Sequence, residues 1–218
     1  MKGKLEWIYK SSKALETTFR SDEMEAVQAV MIAEDLKRTG RLKAVTFIDQ
    51  AGTPWTVKEL QNYLKEIDTE PHNITVYFDG GFDVSSKTAG LGCVIYYEQN
   101  GKSYRLRRNA LVSELVSNNE AEYAALHLAV QELDFLNVHH LPVMFKGDSR
   151  VVINHLSEEW PVIEQHLYSW ADRIVGKLKA LGIRPEYELV ARKANMEADR
   201  LAAQALKGID IMAISERE

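Results

Sequence analysis

The sequence predicts an α/β fold: a mixed five-stranded sheet flanked by helices, preceded by a small α+β domain of order ββαβα. Three observations predict it. A polar stretch, DTEPHN (68–73), interrupts the chain and reads as a linker. Beyond it, three strand-like runs come in succession, which is the pattern of an antiparallel meander. After these, strand-like and helix-like segments alternate, which calls for parallel strands covered by helices. The expected organisation is a first domain over 1–67, a linker over 68–73, a main domain over 74–207 and a tail over 208–218.

The elements follow in order. KLEWIYK and ALETTF alternate apolar and polar residues, as half-buried strands do. Asp22 with Glu25 has the spacing of a capping box and predicts a helix through AVQAVMIAEDLKRTG, stopped at Gly40. KAVTFID is a strand, and Thr56 with Glu59 opens a second capped helix, VKELQNYLKEI. In the main domain, ITVYFDGG is a strand (74–79) closed by a glycine pair. GLGCVIYYEQ and KSYRLRRNALV are joined by Asn100-Gly101, a strong hairpin signal. SNNEAEYAALHLAVQELDFL is a helix with Ser117 or Asn118 at its N-cap. LPVMFKGD is a strand, SRVVINHLS a helix, and a further helix covers about 165–181 and ends near Gly182. YELVAR is the last strand, and MEADRLAAQALK closes the domain as a helix.

The composition is that of an ordinary globular chain, with 45% hydrophobic and 27% charged residues. The single cysteine, Cys93, excludes an intrachain disulfide and points to the cytoplasm. The N-terminal segment MKGKLEWIYKSSKALE has no apolar core of a signal peptide, and no run approaches a membrane span, so no membrane association is expected. The net charge of −5 argues against a nucleic-acid binder that works by bulk charge. Residues 1–72 hold 11 Lys and Arg against 12 Asp and Glu, a net of −1, and residues 73–218 hold 16 against 20, a net of −4. The acidity therefore belongs to the main domain.

Four acids account for it. Asp79 shares a strand face with Thr75 and Tyr77 and precedes two glycines; on its own, Asp79-Gly80 reads as turn chemistry. Glu120 and Glu122 lie two residues apart on a helix that turns about 100° per residue. Glu120 aligns with Ala124, His127, Gln131 and Asp134 on a solvated face, whereas Glu122 aligns with Ala125, Leu126, Ala129, Leu133 and Leu136 in the apolar stripe. A carboxylate there needs a partner, either the helix N-terminus with a nearby cation or a metal. Asp148 stands between a strand and a helix, as an N-cap or at the strand end where α/β folds bind ligands. Asp199 sits among Ala198, Ala202 and Ala203, whose size allows another element to approach; on its own it reads as a surface acid near a helix N-terminus. Converging, the four would raise one another's pKa and require cations. Oxygen donors without a Cys or His cluster suit two Mg²⁺ or Mn²⁺ ions, and such a pair about 4 Å apart is a phosphodiester-hydrolysing centre.

With these residues in place, the chain resembles the type 1 ribonuclease H family over about residues 73–207, through YFDGG, SNNEAEY, GDS and NMEADRLA in that order on the expected elements. The resemblance implies hydrolysis of the RNA strand of RNA–DNA hybrids, giving 3′-hydroxyl and 5′-phosphate ends. The family motif N-N-x-x-E maps its glutamate to Glu122, and its other acids map to Asp79, Asp148 and Asp199. Asn118 and Asn119 match positions that touch the hybrid in its minor groove, and Gly80 and Gly81 would let backbone approach the RNA sugar. Where many members carry a loop histidine, this chain has VARKAN (190–195), which resembles the branch with an arginine there and makes Arg192 the candidate phosphate contact. The basic protruding helix of some members is replaced by acidic LSEEWPVIEQH, so a weakly active or inactive hybrid-binding protein is the alternative. Arg105 and Arg107 share a strand face and could meet phosphates; a solvated edge strand is the competing reading. In the first domain, Trp7, Phe19, Phe47 and Trp55 could stack on bases or form a core, and that domain is equally suited to a homodimer or a protein partner.

Overall fold

The structure, a computed structural model, describes residues 1–160 and 165–217. The acidic segment expected in place of a basic protrusion lies partly outside the described residues. The chain divides into two compact units, Met1–Thr69 and Glu70–Glu218.

The first unit holds β1 (Lys2–Lys10), β2 (Glu16–Glu25), α1 (Ala26–Arg38), β3 (Leu42–Asp49), β4 (Pro54–Trp55) and α2 (Val57–Thr69). Its antiparallel sheet has the order β2-β1-β3-β4. The capping box at Thr56 and Glu59 forms as expected: Thr56 N donates to Glu59 Oε2 (2.8 Å) and Glu59 N to Thr56 Oγ1 (3.2 Å). The one expected at Asp22 does not. Strand β2 runs on through Glu25, because Glu23 and Glu25 stand opposite Lys4 and Lys2 of β1 and keep this stretch in the ladder. Helix α1 then starts one turn later, with Glu25 N donating to Gln28 Oε1 (3.2 Å). Leu5, Phe47 and Leu60 pack with Ala26, Ala29 and Ala33 as the core. Phe47 is fully buried and Trp7 and Trp55 pack against the core, whereas Phe19 stacks on Trp7 at 5.6 Å and stays 46% exposed.

The expected six-residue linker shrinks to Glu70 and Pro71, since α2 runs to Thr69 and the next strand starts at His72. Proline, with no N–H, ends the helix. The second unit holds β5 (His72–Asp83), β6 (Thr88–Gln99), β7 (Lys102–Ser113), α3 (Asn118–Phe135), β8 (Pro142–Gly147), α4 (Arg150–Leu156), α5 (Gln165–Ala180), β9 (Arg184–Leu189), a 3₁₀ turn (Arg192–Ala194), α6 (Met196–Leu206) and β10 (Met212–Arg217). The mixed sheet has the order β10-β7-β6-β5-β8-β9, with β5, β8 and β9 parallel and the remaining pairs antiparallel. Asn100 and Gly101 both take positive φ (53° and 70°), as the β6–β7 hairpin requires.

The predicted class holds, with a sixth strand where a tail was expected. Strand β10 has weak strand signals, and Met212 and Ile214 stay half exposed (56% and 48%). What forms it is the open edge of β7, with which it pairs from Met212↔Arg108 to Arg217↔Ser103. Helix α3 packs on one sheet face with α5 in the main core, and α6 crosses the other face over Gly90 and Gly92. A Cβ on Gly92 would lie 2.3 Å from Ala198 O, so glycine there sets how closely α6 approaches. Among the described residues no helix is long and apolar enough to cross a membrane.

Candidate functional site

Asp79 was expected at the end of its strand; instead β5 continues through Gly80 and Gly81 to Asp83, held by its pairing with β6 (Asp79↔Gly92, Gly81↔Gly90). Its other neighbour, β8, stops pairing with it earlier. The last β5–β8 pair is Tyr77↔Lys146, so Asp79 faces the gap where β8 ends and its chain turns away. Asp148 lies just past that end, and Ser149, not Asp148, caps α4 by accepting from Val152 N (3.5 Å). The Asp148 carboxylate is therefore not spent on the helix.

Glu122 comes from the first turns of α3, with its side chain in the apolar stripe as expected and the residue only 7% exposed. Gly80 brings it in. A Cβ there would sit 2.2 Å from the Ala121 carbonyl, so only glycine lets α3 lie this close, and Gly80 N donates to Glu122 Oε2 (3.2 Å). The need for glycine at 80 is thus met by α3, while Gly81 stays partly open. Oxygens of Asp79, Glu122 and Asp148 all lie within 4.8 Å of one another.

Asp199, the fourth expected acid, stands outside that group. Its Oδ1 accepts from Arg192 Nη2 (2.9 Å), with the arginine side chain 80% exposed. Asn118 is exposed, and its Oδ1 accepts from Phe82 N (3.3 Å); Asn119 is half-buried beside it. Glu120 is not the solvated residue expected. Its Oε2 accepts from Val116 N (2.8 Å) and its Oε1 from Trp170 Nε1 (2.9 Å), tying the start of α3 to α5.

The residue that sequence reasoning passed over is Asn195, 1% exposed at the start of α6. Its Nδ2 donates to Phe78 O (2.9 Å) and Asp148 Oδ1 (2.8 Å) and reaches Asp79 Oδ1 (3.5 Å). It occupies an N-cap position but makes no side-chain cap bond. The available signal was an asparagine four residues before Asp199, inside a motif already singled out.

Electrostatically the site is short of positive charge, with Arg192 offsetting its acids only in part. Burial, then the charges of Asp148 and Asp199, push Asp79 up to about 7, against the opposing pull of Arg192. Burial, then Asp79 and Asp148, push Glu122 up to about 9, and the Gly80 N–H only partly offsets this. Two buried carboxylates that hold protons this tightly, with a third beside them and oxygen donors throughout, fit a hard divalent cation such as Mg²⁺ or Mn²⁺.

A family model described as reverse transcriptase-like matches residues 77–205, the span that holds all four acids. The uncharacterized protein YpeP of Bacillus subtilis (strain 168) is 44% identical over 188 residues, covering 86% of this chain and 83% of that protein. Among solved structures, RNase H1 of the halophilic archaeon Halobacterium salinarum NRC-1 is 25% identical with a TM-score of 0.52, over 62% of this chain and 98% of its own. LC11-RNase H1, isolated from compost, is 25% identical with a TM-score of 0.53, over 62% of this chain and 96% of its own. A second structure of LC11-RNase H1, in complex with an RNA/DNA hybrid, shares the fold with a TM-score of 0.54 at 24% identity, over 62% of this chain and 98% of its own.

Proposed function

Because the chain belongs to the reverse transcriptase-like family and carries the ribonuclease H fold, we propose that it is a metal-dependent endonuclease that hydrolyses the RNA strand of RNA–DNA hybrids, leaving 3′-hydroxyl and 5′-phosphate ends. The observation that carries this reading is the convergence of Asp79, Glu122 and Asp148 within 4.8 Å, from three elements far apart in sequence. The solved relative bound to an RNA/DNA hybrid supports the substrate class.

Asp79, Glu122 and Asp148 would hold the metal, Mg²⁺ or Mn²⁺ as a pair of ions, and Asp199 would complete the donor set on release from Arg192. When bound, the ions supply Lewis-acid activation of water and of the phosphoryl oxygen. The chain's own residues do the positioning. Asn195 holds Asp79 and Asp148 at a fixed spacing through one amide group, and Gly80 N–H fixes Oε2 of Glu122. Arg192, always charged, would grip a phosphate oxygen rather than move a proton. Asn118 and Asn119 would donate to the 2′-hydroxyl side of the minor groove, with Gly81 beside them, and this is where RNA is told from DNA. The single buried cysteine is consistent with a cytoplasmic site of action.

Labelled hybrid, duplex RNA and duplex DNA incubated with the full chain across Mg²⁺ and Mn²⁺ test the reading. Cleavage confined to the RNA strand of the hybrid, and lost in Asp148→Asn, is the expected result. The Arg192–Asp199 pair, which keeps one acid away from the group, favours the second reading of a hybrid-binding protein that cleaves weakly. Retention of hybrid on a gel without cleavage in either metal would establish that reading instead.

A further inference from the structure

The basic run SYRLRR lies on β7, which the structure places inside the sheet between β6 and β10 rather than at an edge. Arg105 and Arg107 stand opposite Tyr96 and Val94 of β6 and opposite Ser215 and Ala213 of β10. Directly paired residues share a face, so both arginines lie on the face that α6 crosses, half-buried and flanked on one side by the small side chains of Ser215 and Ala213. Here β7 and α6 enclose a cleft of about 410 Å³ whose charged residues are Arg105, Arg107, Glu197 and Arg200.

Its charges do not balance. Glu197 is the one carboxylate, and it already accepts from Tyr96 Oη (2.7 Å) and Arg105 Nη1 (3.1 Å). Among the described residues neither Arg107 nor Arg200 has an ion-pair partner, and the Nε atoms of Arg105 and Arg107 are buried without an acceptor. A second cleft of about 420 Å³ shares Glu197 and adds Lys146 and Arg217. Lys146 is balanced by Glu188 (2.7 Å), while Arg217 lies 4.6 Å over the Tyr96 ring. Among the described residues four arginines thus face one carboxylate, in a chain whose net charge is −5. The uncompensated charge of Arg107 and Arg200 is what a phosphate oxygen would balance.

We propose that the cleft between β7 and α6 is a phosphate subsite that holds the sugar–phosphate backbone of the bound nucleic acid, through Arg107 and Arg200, with Glu197 orienting Arg105. The choice of nucleic acid as the polyanion rests on the hybrid-cleavage reading above. Register gives the reach: Asp79 pairs with Gly92, Gly92 with Asn109, and Arg107 is two residues further along β7. Two strand spacings and two residues amount to about 12 Å between Cα atoms. A duplex strand, rising about 3.4 Å per nucleotide, covers that within a few nucleotides. The site would replace in part the anchoring that a basic protruding helix gives other members.

The test measures binding of a labelled RNA–DNA hybrid to the full chain, with Ca²⁺ in place of Mg²⁺, over a range of salt. Arg107→Ala and Arg200→Ala should each weaken binding several-fold at low salt and reduce the salt slope by about 1, and the double variant by about 2. Arg107→Lys should keep the wild-type slope, since the phosphate is still met by a charge. Duplex DNA and duplex RNA should lose affinity to the same extent, because a phosphate contact reads no sequence. In cleavage assays KM should rise while kcat at saturating hybrid holds. Unchanged affinity and slope in the double variant of a chain that cleaves hybrid would overturn the subsite and leave the nuclease reading standing. Lost affinity in a chain that never cleaves would support the subsite and remove the nuclease reading.

Discussion

Two groups of charge lie side by side in the second unit and are handled in opposite ways. Asp79, Glu122 and Asp148 converge from β5, α3 and the end of β8, two of them buried, with hydrogen-bond donors but no cation among them. Asp199 and Arg192 form a partly exposed pair that balances its own charge. An exposed ion pair is worth about 0–1 kcal/mol and is easily exchanged. An uncompensated buried carboxylate group is a cost the fold would not carry without a use. The difference supports the proposal that the inner group takes a cation from outside, while the outer pair is already balanced.

The comparison breaks most visibly at the inner group. Asp148→Asn or Glu122→Gln should lower hybrid cleavage by at least about 10²-fold, the scale seen when a preorganised charge at a reaction centre is removed. Glu122→Gln should at the same time leave the metal-free chain as stable as wild type or more so, because it removes a buried acid. Cleavage retained in Glu122→Gln would end the assignment, whatever its melting temperature.

Metal-free stability against pH is the next largest effect. Asp79 and Glu122 have folded pKa values raised to about 7 and about 9, so between pH 5 and 9 the folded chain holds more protons than the unfolded one. Their contribution is full below the unfolded carboxylate pKa and is lost as pH rises through 7 and then 9. Thermal melting in EDTA should therefore fall over this range, and added Mn²⁺ should restore it most at the alkaline end. A melting temperature that does not respond to Mn²⁺ at pH 8.5 would count against a cation site.

The outer pair should answer more gently. Arg192→Ala frees Asp199 and removes the proposed phosphate contact, so KM for hybrid should rise several-fold while kcat changes little. The smallest effect on cleavage is expected at Glu120. Glu120→Gln should keep most of the activity, yet destabilise the chain by about 1 kcal/mol through the Val116 N–H contact at the start of α3. Equal loss of activity in the Glu120 and Glu122 variants would dissolve the distinction between the two helix faces.

Much of this was legible in the residues. Helical period alone separates Glu122 from Glu120, because a 100° turn per residue is a local property. Asn100-Gly101 announces its hairpin, and Thr56 with Glu59 announces its helix, for the same reason. Local rules fail where a distant partner competes. Asp22 and Glu25 have the spacing of a cap, but Lys2 and Lys4 hold that stretch in a strand. Met212–Arg217 carries little strand signal, and β7 recruits it. Glu120 reads as solvated until Trp170 of α5 is seen to reach it.

By itself, then, the sequence determined the order of the elements apart from the short β4 and the closing β10, the helix face that carries Glu122 and the four candidate acids, since each depends on residues within one or two turns or strands. Only the tertiary structure decided that three of those acids meet while Asp199 pairs with Arg192, and that Asn195 spans two of them. It also decided that Arg105 and Arg107 line a cleft rather than an edge. Those outcomes depend on where β8 ends beside β5, how closely glycine lets α3 and α6 approach, and which strand covers β7. They are set by packing between segments far apart in the chain, which no local pattern encodes.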